Sequence, residues 1–335
     1  MIRVLWKAIG FVVVAFSTLS GGSAQAQEKI TLALNWIPHT LHYGIYLAQE
    51  RGWYRDAGLE VTIQRGFGSG DTVKRVGTGT ADIGLADAAS VAVGRANNIN
   101  TKLVAMLMER NADAIYFIKG GNIKSPKDLE GKTMGAAAGE SSLNLLPAFA
   151  KNVGIDRNKI EIVTMSAPNK IPSLAQKQVN TIVTFTSEEP LVRSAGRKAG
   201  VEIDRFLFAD HGIEYYSIGF IVSDKMIAEK PKVIRGFLDA SLRGLASAFE
   251  KPEEALSVFL KHNPASSAEP MREQWGFLQY NLLTPTLIEK GLGYIDEQKM
   301  NDTLKLMKEF QNVRADINAS DVYTLEFLPK VFIKK

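Results

Sequence analysis

Leu32-Ala33-Leu34-Asn35-Trp36-Ile37-Pro38-His39-Thr40-Leu41-His42-Tyr43-Gly44-Ile45-Tyr46-Leu47-Ala48 is a strand that stops and a helix that starts. The apolar run breaks at Asn35, the chain turns through Pro38, and an amphipathic helix follows. Thr40 is the expected N-cap, its hydroxyl accepting from one of the unpaired first-turn amides. Asn35, Trp36, His39 and His42 then stand at the carboxyl end of a strand, the edge where open α/β sheets hold ligands.

Outward from that unit the same alternation recurs. Gly58 to Gln64 alternates as a strand, and Gly66-Phe67-Gly68-Ser69-Gly70 leads to Asp71, the expected cap of a helix from Thr72 to Val76. Ala81 to Leu85 is a short strand, and Asp87 opens a helix from Ala88 to Ala96. Strands are expected at Lys102 to Met108 and Ala114 to Ile118. After a shift in composition near Lys119-Gly120-Gly121, the pattern restarts with strand Lys132 to Ala136, loop Gly139 to Ser142 and helix Leu143 to Lys151. Strands Ile160 to Thr164 and Thr181 to Phe185 follow, then strand Ser217 to Val222 and helices only. Strand followed by helix, repeated, predicts a largely parallel sheet in each of two α/β halves.

The bulk properties fit this picture. The chain has 335 residues, 45% of them hydrophobic and 23% charged, as in a globular protein. A net charge of +4 with no basic block gives no reason to expect nucleic acid as a partner. Met1 to Ala26 is expected to be a cleaved leader, with Arg3 and Lys7 ahead of an apolar core and Ala24-Gln25-Ala26 as the cleavage site. The apolar run gives way to Ser17 and Thr18, short of the ~20 residues a membrane span needs. There is no cysteine, which removes thiolate catalysis, Cys-based zinc sites and a lipid-modified N-terminal cysteine.

Enzyme motifs are missing or incomplete. His39, His42 and His211 have neither HExxH nor a Cys/His cluster beside them, so a structural or exposed role is expected and no metal. Gly66-x-Gly68-x-Gly70 has the wrong spacing for a dinucleotide fingerprint. Gly135 to Ser141 lacks the phosphate-loop lysine, and no Gly-x-Ser-x-Gly elbow occurs.

Several separated stretches together resemble one family. They are Leu34-Asn35-Trp36 with Pro38 and His42, Gly52-Trp53-Tyr54 running to Gly58-Leu59-Glu60-Val61, and Gly79-Thr80-Ala81-Asp82-Ile83-Gly84. Ser125-Pro126-Lys127-Asp128-Leu129-Glu130-Gly131-Lys132 and Glu189-Pro190 continue the match. The chain is similar, over roughly residues 28 to 260, to NMT1/THI5-like solute-binding proteins of the thiamine-pyrimidine-precursor group, relatives of the sulfonate-binding proteins of ABC importers. The resemblance implies a two-lobed periplasmic-binding-protein fold of type II that closes on a small molecule by a hinge. It also implies an ABC permease as partner, a periplasmic location, a monomer and no cofactor. Crossings are expected near Phe117 and Ser217, giving a first lobe of 28–117 plus 218–335 and a second of 118–217.

In that fold the ligand lies between strand ends of both lobes. The expected ligand-facing residues are Asn35, Trp36, His39, Ser69, Asp71, Asp87, Glu140, Ser141, Thr186, Glu189, Tyr215 and Tyr216. Asn35 serves either the turn or the ligand; Asp71 and Asp87 serve either as caps or as ligand acceptors. One of the Tyr215–Tyr216 pair should face the cleft. No loop of the set carries Arg or Lys at its tip. Carboxylates beside aromatic rings suit an amino-bearing planar heterocycle better than a sulfonate or phosphate, although helix-start amides at Ser141 suit an anion. A sulfonate or an aromatic carboxylate is therefore the alternative ligand. The enzyme alternative is the pyridoxal-phosphate-dependent thiamine-pyrimidine synthase of the same family. Ala86 and Ser90 stand at its lysine and histidine positions, and its cysteines are absent, so no catalytic residue is expected.

Overall fold

A computed structural model describes residues 27–111, 113–140, 142–314 and 316–334, so the expected leader and Ser141 lie outside the described residues. Its strands in chain order are β1 Glu28–Ala33, β2 Leu59–Gln64, β3 Ile83–Asp87, β4 Thr101–Met106 and β5 Asp113–Ile118. They continue with β6 Thr133–Ala136, β7 Glu161–Thr164, β8 Thr181–Phe185, β9 Ile203–Leu207 and β10 Ile218–Ser223. Two five-stranded sheets result, ordered β2-β1-β3-β10-β4 and β7-β6-β8-β5-β9. Both are mixed and helix-flanked, and the two orders are the same arrangement used twice.

In each sheet the fourth strand runs against its neighbours: β10 is antiparallel to β3 and β4, and β5 to β8 and β9. These are the strands that follow a crossing from the other sheet. β3 is buried along its whole length, as expected of a strand covered on both faces, and its sequence Ile-Gly-Leu-Ala-Asp is apolar up to the ligand edge. The first crossing differs from expectation. β5 pairs wholly within the second sheet, so the chain passes over between Met106 and Asp113, ahead of Phe117. The two crossings are bonded to each other, since the amides of Leu107 and Met108 both donate to the Ile218 carbonyl at 2.9 Å.

Helix Tyr43–Glu50 lies directly on helix Pro231–Glu250. Gly44 and Gly244 permit this approach, because a Cβ on Gly44 would stand 2.4 Å from the Leu245 nitrogen. Leu32, Leu34, Tyr43, Phe220, Phe237 and Phe259 share the core on this side. A second apolar cluster runs through the crossings and joins the sheets, taking in Met106, Ile115, Phe149, Phe208 and Tyr215. Met300, Leu304 and Met307 of helix Glu297–Phe310 belong to it, so the helical tail braces the hinge and not the first sheet alone. Among the described residues no helix is long and apolar enough to cross a membrane.

Candidate functional site

The turn after β1 is capped differently from expectation. His39, not Thr40, is the N-cap of the tight turn Thr40–His42 that precedes helix Tyr43–Glu50. The His39 ring accepts from the Leu41 amide at 3.4 Å, and His42 Nδ1 accepts from the His39 amide at 3.0 Å. The extra turn moves the capping register one residue back. The Thr40 hydroxyl is left buried without a partner among the described residues, while its amide donates to Gln274.

His42 Nδ1 is an acceptor, so its proton sits on Nε2 and is donated to Asn35 Oδ1 at 3.1 Å. Asn35 thus serves the turn. Burial holds the His42 ring well below the usual histidine range and brings His39 down to about 4. Both are neutral, and no cluster of metal-ligating side chains occurs among the described residues.

Trp36 reaches across to the second sheet. Its indole N–H donates to Glu188 Oε1 at 3.0 Å, and the Thr184 hydroxyl donates to the other oxygen of the same carboxylate. Over the Trp36 ring, 4.9 Å from its centroid, stands the Lys170 ammonium. That ammonium donates to Glu140 Oε1 and, at 2.8 Å, to the Val183 carbonyl. Glu140 Oε2 accepts from the Ala137 amide at 2.8 Å. Burial raises the Glu140 carboxyl above its ordinary range although Lys170 opposes the shift.

Lys170 brings to the site a cation that the loop sequences do not show. It comes from inside helix Ala167–Ala175, not from a loop tip, and its side chain is fully buried. A lysine in a helix carries no sequence mark that its ammonium turns inward. Glu188 lies in the same loop as Glu189 and is the carboxylate that meets the indole. Glu189 was expected at the ligand, but its carboxylate accepts from Arg193 at 2.7 Å and also from Arg205, away from the indole. The short turn Thr186–Glu188 ahead of the helix decides which of the two faces Trp36.

A third cluster lies at the hinge. Asp113, first residue of β5, accepts from the Ser142 hydroxyl on one carboxylate oxygen and from the Tyr215 hydroxyl on the other. Burial pushes its carboxyl up to about 6, with Asp87 and Glu140 adding to the effect. Of the tyrosine pair, Tyr215 is the one that meets Asp113 and lines the cavity beside it. The Tyr216 hydroxyl accepts from the Asp296 amide at 2.6 Å, against the tail.

Asp87 is a cap as expected, accepting from the Ser90 amide at 2.7 Å, and its own amide donates to Ser69 Oγ. Asp71 is not a cap: helix Ser69–Gly77 begins earlier, and one Asp71 oxygen is buried without a partner among the described residues. Beside it the Gly70 amide donates to the Gly139 carbonyl of the second lobe at 3.3 Å.

Two cavities are lined by residues of these clusters. One, of about 370 Å³, is lined by Asp113, Thr186, Asp210, Glu214 and Tyr215 with Arg110 and Lys299. The other, of about 420 Å³, is lined by Ile37, Pro38, His39, Ile171, Glu188, Leu191, Met271 and Gln274. Both volumes are ordinary for small-molecule sites. A larger concavity of about 530 Å³ around Lys119–Asn122 and Lys177–Asn180 holds none of these residues. Asp87, Asp113, Glu140 and Glu188 are at most 6% exposed, and the buried Lys170 ammonium bonds one of them, Glu140. Such a junction is rich in acceptors and suits a partner that brings N–H donors.

A sequence model described as NMT1/THI5 like matches residues 39–255. The chain is 28% identical over 310 residues to riboflavin-binding protein RibY of Chloroflexus aurantiacus, covering 90% of this chain and 86% of that one. It is 25% identical over 306 residues to a 4-amino-5-hydroxymethyl-2-methylpyrimidine phosphate synthase of Legionella pneumophila, covering 90% and 93%. It is 22% identical over 258 residues to the formylaminopyrimidine-binding protein of Halalkalibacterium halodurans, covering 76% and 77%. In fold it is similar to the alkanesulfonate-binding protein SsuA of Xanthomonas axonopodis pv. citri, with a TM-score of 0.69 at 12% identity over 89% and 99% of the two chains.

Proposed function

The chain belongs to the NMT1/THI5-like family, and from that premise we propose that it is the exported solute-binding component of an ABC importer, capturing a small amino-substituted heteroaromatic by lobe closure. The observation that carries this reading is the acceptor-rich junction around Trp36. Glu188 and Glu140 stand at that indole, one bonded to its N–H and the other to the ammonium above it. A planar ring gains from stacking on an indole, and its amino hydrogens find carboxylate acceptors. A sulfonate would bring a second set of acceptors to a site that already has them.

The formylaminopyrimidine-binding relative supports a pyrimidine precursor as the ligand. RibY argues for including a flavin among the candidates, since that ring system is also planar and carries an N–H. Capture follows from two states: an open form admits the ligand, and contacts such as Trp36 to Glu188 form as the lobes meet.

The synthase is the rival, favoured by the Legionella relative. Against it, Ala86 is a fully buried methyl at the end of β3, and no amine stands at that point. Lys170 is bonded to Glu140 and Val183. The deciding experiments are a thermal-shift screen and a spectrum with pyridoxal phosphate. Aminopyrimidines at about 100 times Kd should stabilise the chain by about 2.7 kcal/mol. Stabilisation by taurine but by no aminopyrimidine would overturn the ligand, and a Schiff-base band would overturn the binding-only role.

A further inference from the structure

We propose that Lys170 is the specificity-determining donor of the cleft, selecting ligands whose amino group stands beside a ring nitrogen or a carbonyl. The proposal rests on the reading of the cleft as a heteroaromatic site and narrows its ligand class.

An ammonium has three N–H groups. Two of those on Lys170 go to the Glu140 carboxylate and the Val183 carbonyl, and the third has no hydrogen-bond partner among the described residues. The nitrogen instead stands 4.9 Å above the Trp36 ring, at 0% exposure. A fully buried ammonium ordinarily satisfies every hydrogen, because an unmet charged donor is costly away from water. The π face of Trp36 is a partial substitute that a real acceptor outcompetes.

The partners also divide between the lobes in a telling way. Lys170, Glu140 and Val183 all belong to the second lobe, which holds the ammonium in place whether or not the lobes meet. Trp36 belongs to the first. The contact between ammonium and indole is therefore the one that opening breaks. With the lobes further apart, a ring stacked on the indole beside the ammonium presents its edge to the third N–H. A carbon–hydrogen or N–H at that edge leaves the donor unmet, whereas a ring nitrogen or carbonyl oxygen satisfies it.

Glu188 reads the neighbouring position. Its two oxygens already accept from Trp36 and Thr184, and each retains room for a further hydrogen. The edge complementary to this pair is an acceptor next to a donor, as in an aminopyrimidine.

The test is calorimetric titration of the full chain with 4-amino-2-methylpyrimidine and with 3-methylaniline, its carbocyclic counterpart of the same shape. The native chain should favour the pyrimidine by at least ~10-fold, the scale of a hydrogen bond to a charged group. Lys170→Met combined with Glu140→Gln removes the ammonium without stranding a buried carboxylate, and should bring the ratio to within about threefold. A ratio unchanged by the double variant overturns the assignment of Lys170 while leaving the heteroaromatic reading intact. If the variant does not fold, the native ratio decides alone, and a value near one overturns the assignment. A native chain that binds neither compound overturns the aminopyrimidine reading and this proposal with it.

Discussion

The Trp36 indole and the Glu188 carboxylate, 152 positions apart in the chain, meet at 3.0 Å across the junction of the two lobes. The contact joins the turn after β1 to the turn after β8, and both carry strand ends of their sheets. A strand end of one lobe is thus latched to a strand end of the other at the place where the proposed ligand enters. Trp36→Phe keeps a stacking ring and removes the N–H, leaving one Glu188 oxygen without that donor. The lost bond to a charged group is worth about 1.5–3 kcal/mol. The variant should show a larger radius of gyration by X-ray scattering and weaker ligand binding, with Trp36→Ala weaker still. Scattering curves and affinities equal to the native ones would return Trp36 to a purely structural role.

Glu140 and Lys170 should behave as a unit. Their side chains are each 1% exposed, so removing one partner strands a buried charge. Lys170→Met alone is expected to destabilise by about 3–5 kcal/mol, and adding Glu140→Gln should recover much of that loss. Urea denaturation of the two single variants and the double closes the cycle. Additive losses would mean that the pair is not coupled.

The hinge carboxyl gives a pH signature of defined sign. Asp113 rises from an ordinary 3.8 to about 6 in the folded chain, so between those values the folded state holds a proton that the unfolded state has released. The stabilisation from its neutral form is complete below about pH 4 and is lost as pH rises through about 6, an effect of about 3 kcal/mol. Asp113→Asn should therefore gain on the native chain as pH rises from 4 to 7, measured by urea unfolding at each pH.

His39 has the opposite slope. Its folded value of about 4 against an ordinary 6.5 means that stability is present above 6.5 and is lost as pH falls toward 4. His39→Gln should gain on the native chain at the acid end of the same series. Stability profiles that run parallel to the native one would remove either group from the account.

Gly68 controls how closely the lobes meet. Its φ is +124°, and a Cβ there would lie 2.3 Å from the Gly139 carbonyl oxygen of the other lobe. Gly68→Ala should hold the lobes apart at this point and weaken ligand binding by at least ~10-fold, with a smaller loss of thermal stability. Native affinity in this variant would show that the two loops separate freely in the bound form.

Most strand and helix positions were legible in the chain because their signal is local, although β9 was not among the expected strands. Apolar alternation up to Asn35, the cap at Asp87 and the helices from Pro231 onward each occupy a few consecutive residues that the structure confirms as elements. The family motifs were equally readable, being short and spaced along one strand of text. Sheet membership was not. β5 has the sequence of a buried strand, but whether it closes the first sheet or opens the second depends on partners at 181–185 and 203–207. The polar site was the least legible part. Lys170 turns inward because Glu140 and the Val183 carbonyl converge on it, and Glu188 rather than Glu189 meets Trp36 because a short turn sets their phase. A long side chain's direction follows from which partners the fold brings within reach, and nearest neighbours in sequence do not record that.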